Sequence, residues 1–219
     1  MKLGRALWSL GSLLINVTII IHQIMARRMP AGDPAGRFDY VIKNWDIYGL
    51  NWRVEWVLMA MIAAGAIFFA IRTRTLSWAI ISGGQVLLLL TYPVLLAGYL
   101  GGSLPMATLV NRLATEIFVS GNMLFLAGLL HLYLTDEQLP LWARYPAAAL
   151  ALVGVLAFVG CNFGLLTLSE IVVAAPVLQL LYVVNSYYGL IVPLSRQRSS
   201  RDARVSVSRT GARPQRVSS

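Results

Sequence analysis

The chain has 219 residues, of which 58% are hydrophobic and 12% are charged, and its mean hydropathy is +0.69. Soluble globular domains carry about 25% charged residues, so this composition excludes a soluble fold and predicts an integral membrane protein. The formal net charge of +9 does not predict nucleic-acid binding, because seven of the eighteen Lys and Arg residues follow Pro193 and others flank apolar segments.

Six apolar segments are each long enough to cross about 30 Å of hydrocarbon as a helix. They cover residues 6–26, 54–71, 77–100, 108–134, 146–166 and 169–193. The sequence therefore predicts an all-α, polytopic six-helix bundle over residues 1–193. The first segment follows a basic start, as in a signal peptide, but its length and the Arg27-Arg28 pair that ends it favour a retained helix.

Residues 27–53 form the only long predicted loop. Prolines and glycines between Pro30 and Gly36 interrupt regular structure, and apolar residues then recur at helical spacing. This pattern predicts an amphipathic helix over residues 38–48 that lies in the membrane interface. A lid that covers a substrate is the functional alternative.

The fourth segment carries a polar stripe. At about 100° per residue, Arg112, Glu116, Ser120 and His131 lie within one sector of the helix. Because ionisable groups inside a membrane normally face protein or water, the stripe is predicted to point into the bundle.

Small residues mark two predicted helix contacts. Gly83 and Gly84 in the third segment indicate close packing, and Pro93 indicates a kink further along that segment. Gly160 and Gly164 in the fifth segment form a GxxxG spacing, which allows another backbone to approach closely.

The alternation of the spans brings polar residues from several segments to the same depth near the outer leaflet. The predicted members of this polar cluster are His22, Asn111, Arg112, Glu116, Asn162 and Glu170. One interpretation is structural: Arg112 and Glu116 form an i,i+4 ion pair, while His22 and Asn162 make hydrogen bonds between helices. The other is a small polar pocket that is open to the outside and binds an ion or a small polar molecule.

The sequence contains no recognisable catalytic or nucleotide-binding motif, so the chain is expected to be a non-enzyme rather than an enzyme. No cofactor is expected, because His22 and His131 fall near opposite ends of their helices and would not ligate one haem. The single cysteine, Cys161, excludes an intramolecular disulfide and a cysteine-based metal cluster. No metal site is expected.

Residues 194–219 lack an apolar period and are predicted to form a disordered basic tail. Basic side chains near the last span are expected to bind anionic lipid headgroups. These side chains are Arg196, Arg198, Arg201, Arg204 and Arg209. With both termini cytoplasmic, twelve Lys and Arg residues lie inside and six outside, which favours that orientation in the cytoplasmic membrane.

Residues 108–192 resemble a group of bacterial six-helix integral membrane proteins known only as a domain of unknown function. The resemblance lies in the Leu-Pro-Leu-Trp sequence at 139–142, a Gly-rich fifth segment, and the Ser-Glu-Ile-Val-Val-Ala sequence at 169–174. It implies a six-helix fold in the bacterial inner membrane and implies no activity.

The expected function is that of a membrane-complex subunit or sensor component that acts through helix–helix or lipid contacts. Its expected partners are the lipid bilayer, other membrane proteins or further copies of the chain, and not nucleic acid. The alternative is a small-solute transporter or a membrane-embedded enzyme that uses the outer polar cluster.

Overall fold

The computed structural model describes residues 2–30, 32–172 and 175–191. These residues form helices and contain no strand, which confirms the all-α prediction for the described part of the chain. The helices are α1 (Lys2–Ala26), α2 (Pro34–Lys43), α3 (Trp45–Thr73), α4 (Leu76–Leu100), α5 (Leu104–Thr135), α6 (Leu141–Asn162), α7 (Leu168–Val172) and α8 (Ala175–Ile191).

Five of these helices, α1, α3, α4, α5 and α6, are long and apolar enough to cross a membrane. This property is typical of a multi-pass membrane protein. The sixth predicted span, residues 169–193, is described only in part, as α7 and α8. A count of six spans therefore stays a prediction, and the predicted tail at 194–219 lies outside the described residues.

The predicted interfacial helix over residues 38–48 is wrong in its second half. Asp33 caps α2 by accepting a hydrogen bond from the Ala35 backbone N–H at 3.0 Å. At the other end, the Asn44 side-chain amide donates to the Tyr40 carbonyl at 2.7 Å, and the Asn44 carbonyl accepts from the Tyr48 N–H at 3.1 Å. Asn44 thus ends α2 and begins α3, so residues 45–48 belong to the long helix.

The long helices form a closed ring in the order α1, α3, α4, α5, α6, α8, with α8 packed against α1. Each helix of the ring therefore has two neighbours. The short helix α2 contacts α3 and α5, and α7 contacts α6. Those contacts place α2 and α7 at the end of the ring where α1 and α6 finish and α3, α5 and α8 begin.

The polar stripe of α5 is largely exposed, and only Arg112 and Glu116 in its first half border the space inside the ring, so the prediction that the whole stripe points into the bundle is wrong. Arg112, Glu116 and His131 are exposed, whereas the opposite face of the helix, which includes Ala114 and Phe125, is buried. Small and aromatic side chains on that face fit against the neighbouring helices, while apolar residues such as Leu113 share the exposed side. Packing rather than the burial of charge sets the rotation of α5.

The contact between α4 and α5 is a close approach of two backbones. A Cβ atom at Gly84 would lie 2.8 Å from the Gly121 carbonyl oxygen, and a Cβ atom at Gly128 would lie 2.8 Å from the Ile81 backbone nitrogen. Only glycine fits at such positions, because any side chain would push the helices apart. The close packing expected of the third segment is therefore present at Gly84.

The predicted GxxxG contact of the fifth segment is absent. Helix α6 ends at Asn162, and Gly164 lies beyond it with a φ of +68°, in the left-handed region that glycine adopts readily. A Cβ atom at Gly160 would meet Leu166, which follows in the same chain. These glycines form a turn after α6 instead of a contact between helices.

Aromatic side chains fill the end of the ring away from α2. The Trp78 ring lies 4.4 Å from that of Phe69 and 5.0 Å from that of Trp8, measured between centroids, and Tyr188 packs against both Phe69 and Trp78. The Trp8 indole N–H donates to the Asn185 carbonyl at 2.8 Å. Among the described residues, this aromatic cluster fills one end of the bundle.

We expect Gly84→Ala to lower the free energy of unfolding by roughly 1–3 kcal/mol, because the added methyl group meets the α5 backbone. The matched control is Gly83→Ala: Gly83 is exposed, nothing lies within 4 Å of its Cβ position, and alanine favours a helix. Thermal unfolding of both purified variants in detergent measures the difference. Equal stability of the two variants would contradict the close α4–α5 contact.

Candidate functional site

A cavity of about 870 Å³ lies inside the ring at the end opposite the aromatic cluster. Its lining comes from the second half of α1 and α4, the first half of α3, α5 and α8, and one residue of α6. The loop before α2, the start of α2 itself and α7 border its mouth. This volume is within the range of small-molecule sites, about 300–1,000 Å³.

The structure brings four of the six predicted cluster residues to this cavity. His22, Asn111, Arg112 and Glu116 line it. The Asn111 side-chain amide donates to the Tyr99 hydroxyl at 3.0 Å, which ties α5 to α4. Whether these residues form a functional site stays a prediction, but they share one cavity.

The other two members of the predicted cluster lie outside the cavity. Asn162 is exposed at the last residue of α6. Glu170 is exposed in α7, where its carboxylate accepts hydrogen bonds from the Thr167 backbone N–H at 2.6 Å and from the Thr167 hydroxyl at 2.8 Å. These bonds hold the pKa of Glu170 below its ordinary value, because they stabilise the carboxylate. The prediction placed Asn162 near the end of the fifth span and Glu170 at the start of the sixth, whereas the structure ends α6 at Asn162 and has Glu170 in the short helix α7.

The mouth of the cavity carries balanced charge. Asp33 and Arg37 reach it from the α2 region, and Arg112 and Glu116 reach it from α5. No ion pair within 4.0 Å joins Arg112 to Glu116, so the i,i+4 ion pair expected as the structural interpretation does not form. All four side chains are exposed, and two of them also stabilise the α2 region: Asp33 accepts from the Ala35 N–H, and Arg37 donates to the Pro30 carbonyl at 2.8 Å.

The deepest ionisable group of the cavity is one that the sequence analysis missed. Glu55 lines the cavity and is only 5% exposed. The Asn51 side-chain amide donates to its Oε1 atom at 3.1 Å, and the hydroxyls of Thr18 and Tyr92 lie beside the same carboxyl group. An acidic residue inside an apolar segment is a functional candidate in its own right, and that pattern alone could have identified Glu55.

Several buried polar atoms along the lining have no hydrogen-bond partner among the described residues. They are the Trp52 indole N–H and the Thr91 hydroxyl, each in a residue 4% exposed, and the Gln23 side-chain amide nitrogen. All three residues line the cavity. These atoms are themselves buried and do not face the open space, so their burial without a partner is a cost in free energy at the cavity wall.

Aromatic side chains form part of the cavity wall. The Tyr99 ring lies 5.2 Å from the Trp52 ring and 5.8 Å from the Phe38 ring, measured between centroids. Tyr92 and Tyr182 line the cavity deeper in the bundle. The cavity thus combines apolar walls with a few polar groups at fixed positions, as small-molecule sites do.

The histidines do not form a shared site. His22 lines the cavity, whereas His131 lies toward the far end of α5, where its Nδ1 atom is 2.6 Å from the Ser77 hydroxyl. Across residues 2–30, 32–172 and 175–191, no group of three or more His, Cys, Asp or Glu side chains is placed to hold a metal ion. Arg196, Arg198, Arg201, Arg204 and Arg209, the predicted headgroup-binding side chains, lie outside the described residues.

We expect a cysteine at Thr91 to react with a small, water-soluble thiol reagent, because Thr91 lines the cavity. The background is Cys161→Ser, and the matched control is Ser12→Cys, since Ser12 is fully buried and lies outside the cavity lining. Mass spectrometry of the purified protein measures labelling. If both cysteines label at the same rate, the cavity does not connect Thr91 to solvent.

Comparison of the chain with protein-family models, with characterised proteins and with solved structures gives no match. The resemblance of residues 108–192 to bacterial six-helix membrane proteins therefore stays a prediction, and the cavity is the feature from which function must be inferred.

Proposed function

We propose that this chain is a six-span protein of a bacterial cytoplasmic membrane, with α8 as its sixth span and both termini in the cytoplasm. The five long apolar helices and the ring that α8 completes support this arrangement. The excess of Lys and Arg on the terminal side supports the orientation. In this arrangement the cavity opens to the outside and the aromatic cluster faces the cytoplasm.

Within that membrane, the proposed function is to bind a small amphipathic molecule as a sensor component or as a subunit of a membrane complex. The cavity of about 870 Å³, with aromatic walls and polar atoms near its base, is the observation that carries this proposal. A molecule with an apolar body and one polar end complements such a lining.

The aromatic cluster at the end of the ring opposite the cavity favours a binding function over transport. Trp8, Phe69 and Trp78 pack against each other across the ring, and within the described residues this packing fills the end opposite the cavity. A site with one entrance suits a protein that reports binding to a partner, either another membrane protein or a second copy of the chain. The basic side chains after Pro193 would hold the cytoplasmic end against anionic lipid headgroups.

The second candidate is a transporter of small solutes or a membrane-embedded enzyme. One observation favours it: His22 and Glu116, both able to exchange protons, line the same cavity. Under this alternative, Glu116→Gln and His22→Ala would each abolish a growth or transport phenotype at unchanged expression. Under the binding function, neither substitution does so.

We expect the purified chain to bind phenylbutanol saturably, and Thr115→Trp to weaken that binding at least about tenfold, or about 1.4 kcal/mol, because the indole would occupy the cavity. Thr115 lines the cavity. The matched control is Leu124→Trp, because Leu124 lies on the exposed side of the same helix and outside the cavity lining. This variant should bind phenylbutanol with the affinity of the wild type. Calorimetric titration in an uncharged detergent measures both.

Two results would overturn the binding function. One is the absence of saturable binding of both phenylbutanol and phenylbutylamine to the wild-type chain. The other is equal affinity of phenylbutanol for Thr115→Trp and Leu124→Trp, which would place binding elsewhere on the apolar surface.

A further inference from the structure

We propose that the cavity selects an organic cation, a molecule with an apolar body and a protonated amine or similar group, and that Glu55 is its counter-ion. This inference rests on the proposed function and names the chemical class of the bound molecule. It depends on the surroundings of Glu55, the aromatic side chains beside it, and the charge balance of the rest of the cavity.

The Glu55 carboxyl group is buried without a positive partner. Among the described residues, no Lys, Arg or His nitrogen lies within 4.0 Å of its oxygens. The Asn51 amide supplies one hydrogen bond, at 3.1 Å, and offers no charge. A carboxylate in a low-dielectric interior is costly unless it is paired, so a cation at this position would be stabilised strongly.

Aromatic rings stand next to this carboxyl group. Tyr92 and Tyr182 both interact electrostatically with Glu55, and both line the cavity. Trp52 lies one turn before Glu55 on α3 and also lines the cavity. The faces of Tyr and Trp rings attract cations, which adds to the attraction of the carboxylate for a desolvated ammonium group.

The rest of the cavity does not neutralise Glu55. The other charged side chains of the lining are two arginines and two carboxylates, all exposed at the mouth, and they balance each other. The fifth charged side chain is Glu55, so the lining carries one net negative charge when Glu55 is ionised and His22 is neutral. A bound molecule with one positive charge would make the cavity neutral.

The same surroundings favour an organic cation over a metal ion. A metal ion requires several convergent oxygen, nitrogen or sulfur ligands, and the described residues hold no group of three suitable side chains. By contrast, one carboxylate, several ring faces and a volume of about 870 Å³ fit a monovalent ammonium group with an apolar body.

The experiment compares two probes of similar shape, phenylbutylamine, which is protonated at pH 7, and phenylbutanol, which is uncharged. Each is titrated by calorimetry into the purified full-length chain in an uncharged detergent. We expect the wild type to bind the amine at least about tenfold more tightly than the alcohol.

The decisive variant is Glu55→Gln, which keeps the size of the side chain and the hydrogen bond to Asn51 but removes the charge. We expect its affinity for the amine to fall to that for the alcohol, while its affinity for the alcohol stays within about twofold of the wild type and so reports an intact cavity. The matched control is Glu137→Gln, an exposed carboxyl group outside the cavity lining, which should keep the preference for the amine.

Retention of the preference for the amine in Glu55→Gln, or its loss in Glu137→Gln, would overturn the assignment of Glu55. Equal affinity of the wild type for the two probes would overturn the selection of cations but leave the binding function intact. This comparison needs no variant, so it tests the selection of cations even if Glu55→Gln does not fold. Failure of both probes to bind the wild type would instead overturn the proposed function.

Discussion

The structure depends on close backbone contact between helices that have no hydrophobic reason to associate. In a lipid environment, apolar side chains are as well solvated by acyl chains as by protein, so association relies on shape and on hydrogen bonds. Glycines supply the shape: Gly84 and Gly128 join α4 to α5, and Gly65 lies against the backbone of Trp8 to join α3 to α1. These contacts fix the rotation of each helix, and with it the set of side chains that faces the interior.

Packing is uneven along the ring, and this unevenness produces the cavity. At one end, large rings from α1, α3, α4 and α8 fill the centre, as the pair of Phe69 and Trp78 illustrates. At the other end, aromatic side chains such as Trp52 and Tyr99 pack against each other along the wall instead of across the centre. The same residue types thus seal one half of the molecule and line a space in the other.

Hydrogen bonding does not divide the molecule in the same way. At the filled end the Tyr133 hydroxyl donates to the Asn185 side-chain oxygen at 2.6 Å, but the Ser9 hydroxyl and the Asn185 side-chain nitrogen have no partner among the described residues. At the open end, the Trp52 indole nitrogen and the Thr91 hydroxyl also lack partners there. What distinguishes the open end is therefore Glu55, a buried carboxyl group that borders the cavity.

The sequence by itself determined the helical class and the positions of five apolar helices, because these follow from local composition, whereas the break at Asn44 falls inside a helix that the sequence predicted as continuous. It also indicated that His22, Asn111, Arg112 and Glu116 share one depth, since alternating spans bring those positions to the same end. Only the tertiary structure decided which way α5 turns, where α6 ends, and that Glu55 rather than the charged stripe is the buried acidic group. Rotation of a helix is set by the fit of small residues against its neighbours, and no property of a single segment contains that information.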